Sequence, residues 1–270
     1  MKSAITISLV PQAKGGPFVF WDGLADGCER AAALGFDAVE IFPPSADAID
    51  VAELANLLNR HQLRVAAFGT GGGWLIHQWS LTHPNMELRM KAYAFIRSVI
   101  TLAAKFDAPA IIGSMQGRCD GDISRQQGLA ILAEGLEELG SYAATQGQAL
   151  IYEPLNRYET RLFNRLGDAA EFLDRIQAPN VRLLADLFHM NIEEASPAEA
   201  IRAAGHRIGH VHFADSNRHA VAFGHTAIAP VIEALREIGY EGYLSGEILP
   251  LPDGETAARQ TIESIRHYTA

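Results

Sequence analysis

Val181-Arg182-Leu183-Leu184-Ala185-Asp186-Leu187-Phe188-His189-Met190-Asn191 is a short apolar run that closes on a carboxylate. A nearly continuous apolar run of this length reads as a strand buried on both faces, the kind found in parallel sheets covered by helices. The same form recurs along the chain, at Ala4–Val10, Ala38–Phe42, Arg64–Phe68, Pro109–Gly113, Ala149–Glu153, Gly209–Phe213 and Tyr243–Ile248, which makes eight runs. Between them lie amphipathic stretches with start and stop signals. Leu24 to Leu34 stops at Gly35, and Val51 to His61 repeats Val51, Leu54, Leu57 and Leu58. Pro84 opens a long segment to Phe106, Ser124 caps one that runs to Gln146, Ser196-Pro197 opens a short one, and Ile228 to Ile238 stops at Gly239. Such alternation predicts parallel βαβ units, arranged as a closed barrel or a doubly wound open sheet. The open sheet usually carries a Gly-x-Gly-x-x-Gly turn after its first strand. Here that place reads Val10-Pro11-Gln12-Ala13-Lys14-Gly15-Gly16, without it. Eight strands in 270 residues, close to the ~250 of a (β/α)8 barrel, favour a single α/β barrel domain over residues 1–270.

Composition narrows the function. With 22 Lys+Arg against 32 Asp+Glu, the net charge of -10 repels phosphate backbones and anionic lipid, so neither nucleic acid nor a membrane surface is the expected partner. Two cysteines, Cys28 and Cys119, make neither a disulfide framework nor a Cys-x-x-Cys zinc pair. The first apolar run is too short to span a membrane and lacks a cleavage site, so the expectation is a cytoplasmic protein with reduced thiols.

In a barrel, chemistry sits at the C-terminal ends of the strands. The last four runs end on Glu153, Asp186, His212 and Glu247, about one βα unit apart, so closure brings them to one rim. Taken singly, a Glu after a strand often begins a solvated loop, and a His there is often structural. Four together need a countercharge, which one divalent metal ion supplies. Three carboxylates and an imidazole suit Mn²⁺ first, then Mg²⁺ or Co²⁺, with Zn²⁺ also within range.

These segments resemble the xylose-isomerase-like barrel superfamily, and most of all its ketose 3-epimerases of the D-tagatose 3-epimerase type. Glu153-Pro154-Leu155-Asn156-Arg157-Tyr158-Glu159 is similar to the family's strand-five segment. Asp186-Leu187-Phe188-His189-Met190-Asn191-Ile192-Glu193-Glu194 is the most specific motif, and His210-Val211-His212, Asn217-Arg218 and Gly246-Glu247 fit strands seven and eight. The resemblance implies that Glu153, Asp186, His212 and Glu247 bind the metal. It also implies that Glu153 and Glu247 are the two acid/base groups on opposite faces of the sugar, and that Glu159, His189 and Arg218 hold substrate oxygens. It further implies a sugar substrate and a homo-oligomer, dimer or tetramer. The first half of the chain departs from the pattern at Pro11 to Phe20, at Gly69-Thr70-Gly71-Gly72-Gly73-Trp74 with His77, Trp79 and His83, and at Ser114 to Asp122.

The expected activity is metal-dependent C3 epimerisation of a ketose through an enediolate. A keto-inositol dehydratase, a sugar lyase and a hydroxypyruvate isomerase would use the same metal site, and a sugar-binding barrel without catalysis would need only the pocket. The glycine run is a candidate phosphate nest or, more simply, a lid or turn. Trp74 and Trp79 are candidates to stack on a sugar, Glu40 to reach the pocket from strand two, and His225 to anchor a loop.

Overall fold

The computed structural model describes residues 1–119, 121 and 123–270. Its eight strands are β1 (Lys2–Ser8), β2 (Ala38–Phe42), β3 (Arg64–Gly69), β4 (Ala110–Ile112), β5 (Leu150–Tyr152), β6 (Val181–Asp186), β7 (Ile208–His212) and β8 (Tyr243–Gly246). They pair in parallel, each with the next, and β1 closes on β8, so the sheet is a closed barrel and not an open one. The apolar runs locate every strand, with shifts at the ends. Glu153 and Glu247 are the first residues beyond β5 and β8, where the ladder stops and side chains are free to turn into the mouth.

Ten α-helices surround the barrel among the described residues: α1 (Gly23–Leu34), α2 (Val51–His61), α3 (Gly72–His77), α4 (Met86–Ala104), α5 (Arg125–Thr145), α6 (Leu166–Arg175), α7 (Leu187–Glu193), α8 (Pro197–Ala204), α9 (Ile228–Glu237) and α10 (Gly254–Thr269). Several termini follow the signals in the sequence. Gly35 closes α1 in the left-handed region at φ 82°, Ser124 caps α5 in a reciprocal box with Gln127, and Ser196 caps α8 ahead of Pro197. Helix α4 starts later than Pro84 suggests, because the Asn85 side chain accepts from Glu87 N–H and takes the capping role. Helices α3, α6, α7 and α10 are not anticipated by the start and stop signals above, although Asp186 caps α7 and Asp253 caps α10. Two are six and seven residues long, α6 has no side-chain cap, and the buried face of α10 includes the small residues Ala257, Ala258 and Thr261.

Period-two alternation sorts the strands into an outer face packed on helices and an inner face lining the barrel. Ile111, Ile151 and Leu184 form an inner cluster with Ala67, while their neighbours Ile112, Tyr152 and Ala185 belong to the large outer core. Two residues on from Ile151 and Leu184, the same inner face presents Glu153 and Asp186. The site therefore stands on a floor of apolar side chains.

Candidate metal centre and active site

One ligand atom from each of Glu153, Asp186, His212 and Glu247 lies within 4.8 Å of the other three, so the structure brings the four strand-end residues together. His212 Nδ1 is central. It lies 3.3 Å from Asp186 Oδ2 and 3.5 Å from both Glu153 Oε1 and Glu247 Oε2. Each ligand is placed by its own local device. Asp186 divides its carboxylate: Oδ1 caps α7 by accepting from Phe188 and His189 N–H, which leaves Oδ2 for the site. Glu153 is carried on a backbone pinned by buried Gln116, whose amide donates to Glu153 C=O at 2.9 Å and whose carbonyl accepts from Tyr152 Oη at 2.6 Å. Gly113 makes room beside it, since a Cβ there would sit 2.3 Å from Glu153 Oε2.

Glu159, His189 and Arg218, expected to hold substrate oxygens, line the same pocket. Asn156 N–H donates to His189 Nδ1 at 3.2 Å, so that nitrogen is an acceptor and Nε2 carries the proton. His189 Nε2 stands 3.7 Å from Asp186 Oδ2 and 3.9 Å from Glu153 Oε1. Glu159 accepts from the Asn156 side chain at 3.1 Å. Arg218 donates to Glu247 Oε2 at 2.6 Å and lies 4.8 Å over the Phe188 ring. Its backbone is left-handed at φ 60°, and its loop is tied down by Asp215, which accepts from the amides of Ser216, Ala222, Gly224 and Thr226. Neither Asn156, Gln116 nor Asp215 stands out in the sequence as functional. Asn156 lies in the strand-five motif, but its role depends on a contact with another strand's loop.

The electrostatics are those of crowded acids. Burial pushes the Glu247 carboxyl up to about 7; His212 and Arg218 oppose the rise, and Glu153 and Asp186 add to it. Burial acts in the same sense on Asp186, but neighbouring His189, the hydrogen bond with His212 and the charge of Arg218 hold it well below the usual carboxylate range. Burial disfavours charge on His212, yet the charges of Glu40 and Glu247, the hydrogen bond to Asp186 and the nearby Glu153 carboxylate raise its pKa well above the ordinary value.

The residues fit a divalent cation. Among the described residues, Glu153 Oε1, His189 Nε2 and Arg218 Nε are buried polar atoms of this site with no hydrogen-bond partner, an arrangement that costs free energy unless something binds there. The pocket above them holds about 220 Å³, below the ~300–1,000 Å³ of drug-sized ligand sites, which suits a small molecule. Its far wall is apolar, with Pro17, Phe18, Phe42, Trp74, Leu75 and Leu155. Among the described residues, Arg218, already paired with Glu247, is the one lysine or arginine lining it.

The remaining candidates separate. Trp74 lines the pocket, whereas Trp79 stacks on His77 at 4.1 Å and meets Phe95, outside it. The glycine run leads from β3 into α3 along the pocket. Gly72 and Gly73 enter α3, and a Cβ on Gly69 or Gly71 would meet Phe42 at 2.6 or 2.8 Å, so these glycines let α3 pack closely. His225 is exposed, and its loop is held by its backbone N–H donating to Ser216 Oγ at 3.1 Å. Of the loop from Ser114 to Asp122, Asp120 and Asp122 lie outside the described residues.

The chain is 30% identical over 243 residues to an L-ribulose 3-epimerase of Methylomonas sp. (strain DH-1), covering 86% of this chain and 83% of the relative. It is 30% identical over 223 residues to a D-psicose 3-epimerase of Ruminiclostridium cellulolyticum, covering 79% and 74%. The crystal structure of a D-allulose 3-epimerase from Methylomonas sp. superimposes with a TM-score of 0.82 at 26% identity, over 99% of each chain. Residues 28–268 match the xylose isomerase-like TIM barrel family, and this chain belongs to it.

Proposed function

We propose that this protein is a divalent-metal-dependent carbohydrate epimerase that inverts C3 of a small, unphosphorylated ketose, with a single barrel domain over residues 1–270 carrying the whole site. The observation that carries the reading is the convergence of Glu153, Asp186, His212 and Glu247 within 4.8 Å. These four would hold the ion, and their oxygen-rich set suits Mn²⁺ before Mg²⁺, Co²⁺ or Zn²⁺. A bound ion of this kind supplies Lewis acidity, which lowers the cost of negative charge on neighbouring carbonyl and hydroxyl oxygens of the sugar.

The chain's own groups would move the proton. Glu153 and Glu247 act as a pair: one carboxylate takes the C3 hydrogen, and the other, as a carboxylic acid, returns a proton to the opposite face of the enediolate. The roles exchange with the epimer that binds, so each direction restores the other's starting state. His189 Nε2–H and Arg218 donate where oxygen charge grows, and Glu159 accepts from a sugar hydroxyl. The apolar far wall and the lack of an unpaired cation in the pocket support a substrate without phosphate. The same reading makes the protein a cytoplasmic homodimer or tetramer. No described helix is long and apolar enough to cross a membrane, and the charge of -10 disfavours nucleic acid.

The test is incubation with Mn²⁺ and a panel of ketopentoses and ketohexoses in D₂O. Deuterium at C3 of both the substrate and its C3 epimer is the expected result. An aldose product labelled at C2, or loss of water from the sugar, would overturn it.

A further inference from the structure

Glu40 is a buried carboxylate on the inner face of the barrel with no part in the proton transfer proposed for Glu153 and Glu247. It is 5% exposed, sits on β2 two residues beyond inward-facing Ala38, and reaches past β1 and β8 to the residues of β7. Its two oxygens are divided between two buried histidines of that strand. Oε2 lies 2.7 Å from His210 Nε2, and Oε1 lies 3.0 Å from His212 Nε2. A carboxylate oxygen can only accept, so the second contact puts a proton on His212 Nε2. The other ring nitrogen, Nδ1, is the one that faces Asp186, Glu153 and Glu247 at 3.3 to 3.5 Å. With Nε2 committed to Glu40, Nδ1 is the ring nitrogen left to face the three carboxylates. In the ion-free protein Nδ1 shares a proton with Asp186 Oδ2 at 3.3 Å, and a cation that displaces that proton would meet the Nδ1 lone pair.

We propose that Glu40 is a positioning residue of the metal centre. It fixes the tautomer and plane of His212 so that Nδ1 is presented as a ligand, and His210 holds the Glu40 carboxylate at the angle this requires. An imidazole whose second nitrogen donates to a carboxylate is also a stronger donor to a metal. The inference rests on the reading of Glu153, Asp186, His212 and Glu247 as metal ligands. Glu40, His210 and His212 also lie close enough together to be weighed as a second ion site. Their oxygen–nitrogen distances are those of direct hydrogen bonds, and none of their side-chain atoms is among the buried unpartnered ones, so the trio is complete without an ion.

The experiment titrates Mn²⁺ calorimetrically into chelator-stripped wild type, Glu40→Gln and Glu40→Ala. In parallel, the imidazole N–H protons of the Mg²⁺-loaded proteins are followed by NMR. Wild type is expected to bind one ion, with Kd weakened about 10- to 100-fold in Glu40→Ala, a smaller loss in Glu40→Gln, and a slowly exchanging His212 Nε2 proton seen in wild type and lost in Glu40→Ala. Wild type that binds no ion overturns the metal centre itself. Wild type that binds while both variants match its Kd overturns the role of Glu40 alone. If Glu40→Ala does not fold, the loaded wild type decides, since a His212 without a protected Nε2 proton overturns the proposal.

Discussion

The two halves of the barrel's rim differ in kind. From β5 to β8 it carries Glu153, Glu159, Asp186, His189, His212, Arg218 and Glu247, each held by a specific hydrogen bond or ion pair. From β1 to β4 it carries Phe18, Phe42, Trp74, Leu75 and Ile111, with glycines at Gly69, Gly71 and Gly113. One half holds charge and the other shape. Phe18 and Phe42 pack ring to ring at 4.4 Å, and Gly69 and Gly71 are small so that Phe42 can lie against them. The lesson is that reaction and substrate choice are carried by different stretches of chain, and the half without charged groups is the freer of the two to change. Glu40 is the exception, a carboxylate lent by the apolar half to the charged one.

This contrast can be broken in a graded way. Glu247→Gln removes a carboxylate that is both candidate ligand and acid/base group, and turnover is expected to fall about a thousandfold or more. Near-wild-type rates on the true substrate would end the mechanism. Gly113→Ala adds one methyl from the quiet half, 2.3 Å from Glu153 Oε2, and must push that carboxylate aside. A loss of about 100-fold in turnover is expected while the circular dichroism spectrum stays unchanged, because an ångström of misplacement at a reacting group is enough. Unaltered rates would mean that Glu153 can relocate at no cost.

Acidity sharpens the same picture. Metal ligands must be unprotonated, Glu247 is pushed up to about 7, and His212 is raised too. Mn²⁺ affinity should therefore fall as pH drops below about 7, by about tenfold per pH unit for each proton displaced, and calorimetry in buffers of different ionisation enthalpy should register proton release. Affinity that is flat over that range would show that the ion does not compete with protons at these groups. The smallest effect belongs to the apolar wall. Trp74→Ala is expected to raise KM by about tenfold or less, ~1 kcal/mol of lost contact, with Mn²⁺ affinity unchanged. A change in metal affinity there would deny that the halves are separate.

The site was legible in the sequence to the extent that strand ends are. Glu153, Asp186, His212 and Glu247 could be picked out because a parallel barrel repeats one unit, so equivalent ends must converge. Glu159, His189 and Arg218 came from motif resemblance, and all three line the pocket. Gly113 and Gln116 were invisible because each works through Glu153, about 40 positions away, and Asp215 because its work is to collect backbone amides of its own irregular loop. The glycine run has a packing role that its sequence does not reveal: each of its four glycines is small where Phe42, Pro43 or Met115 lies against it.

Apolar runs, their spacing and the residues that close them were enough to favour eight parallel strands in a barrel with four side chains converging at one rim, since strand periodicity and helix stop signals are local properties of the chain. Which nitrogen of His212 faces the ligand carboxylates, which oxygen of Asp186 is left after capping α7, and which glycine gives Glu153 its room were decided only in the folded barrel. Those are matters of ångströms between segments distant in sequence, and no local pattern encodes them.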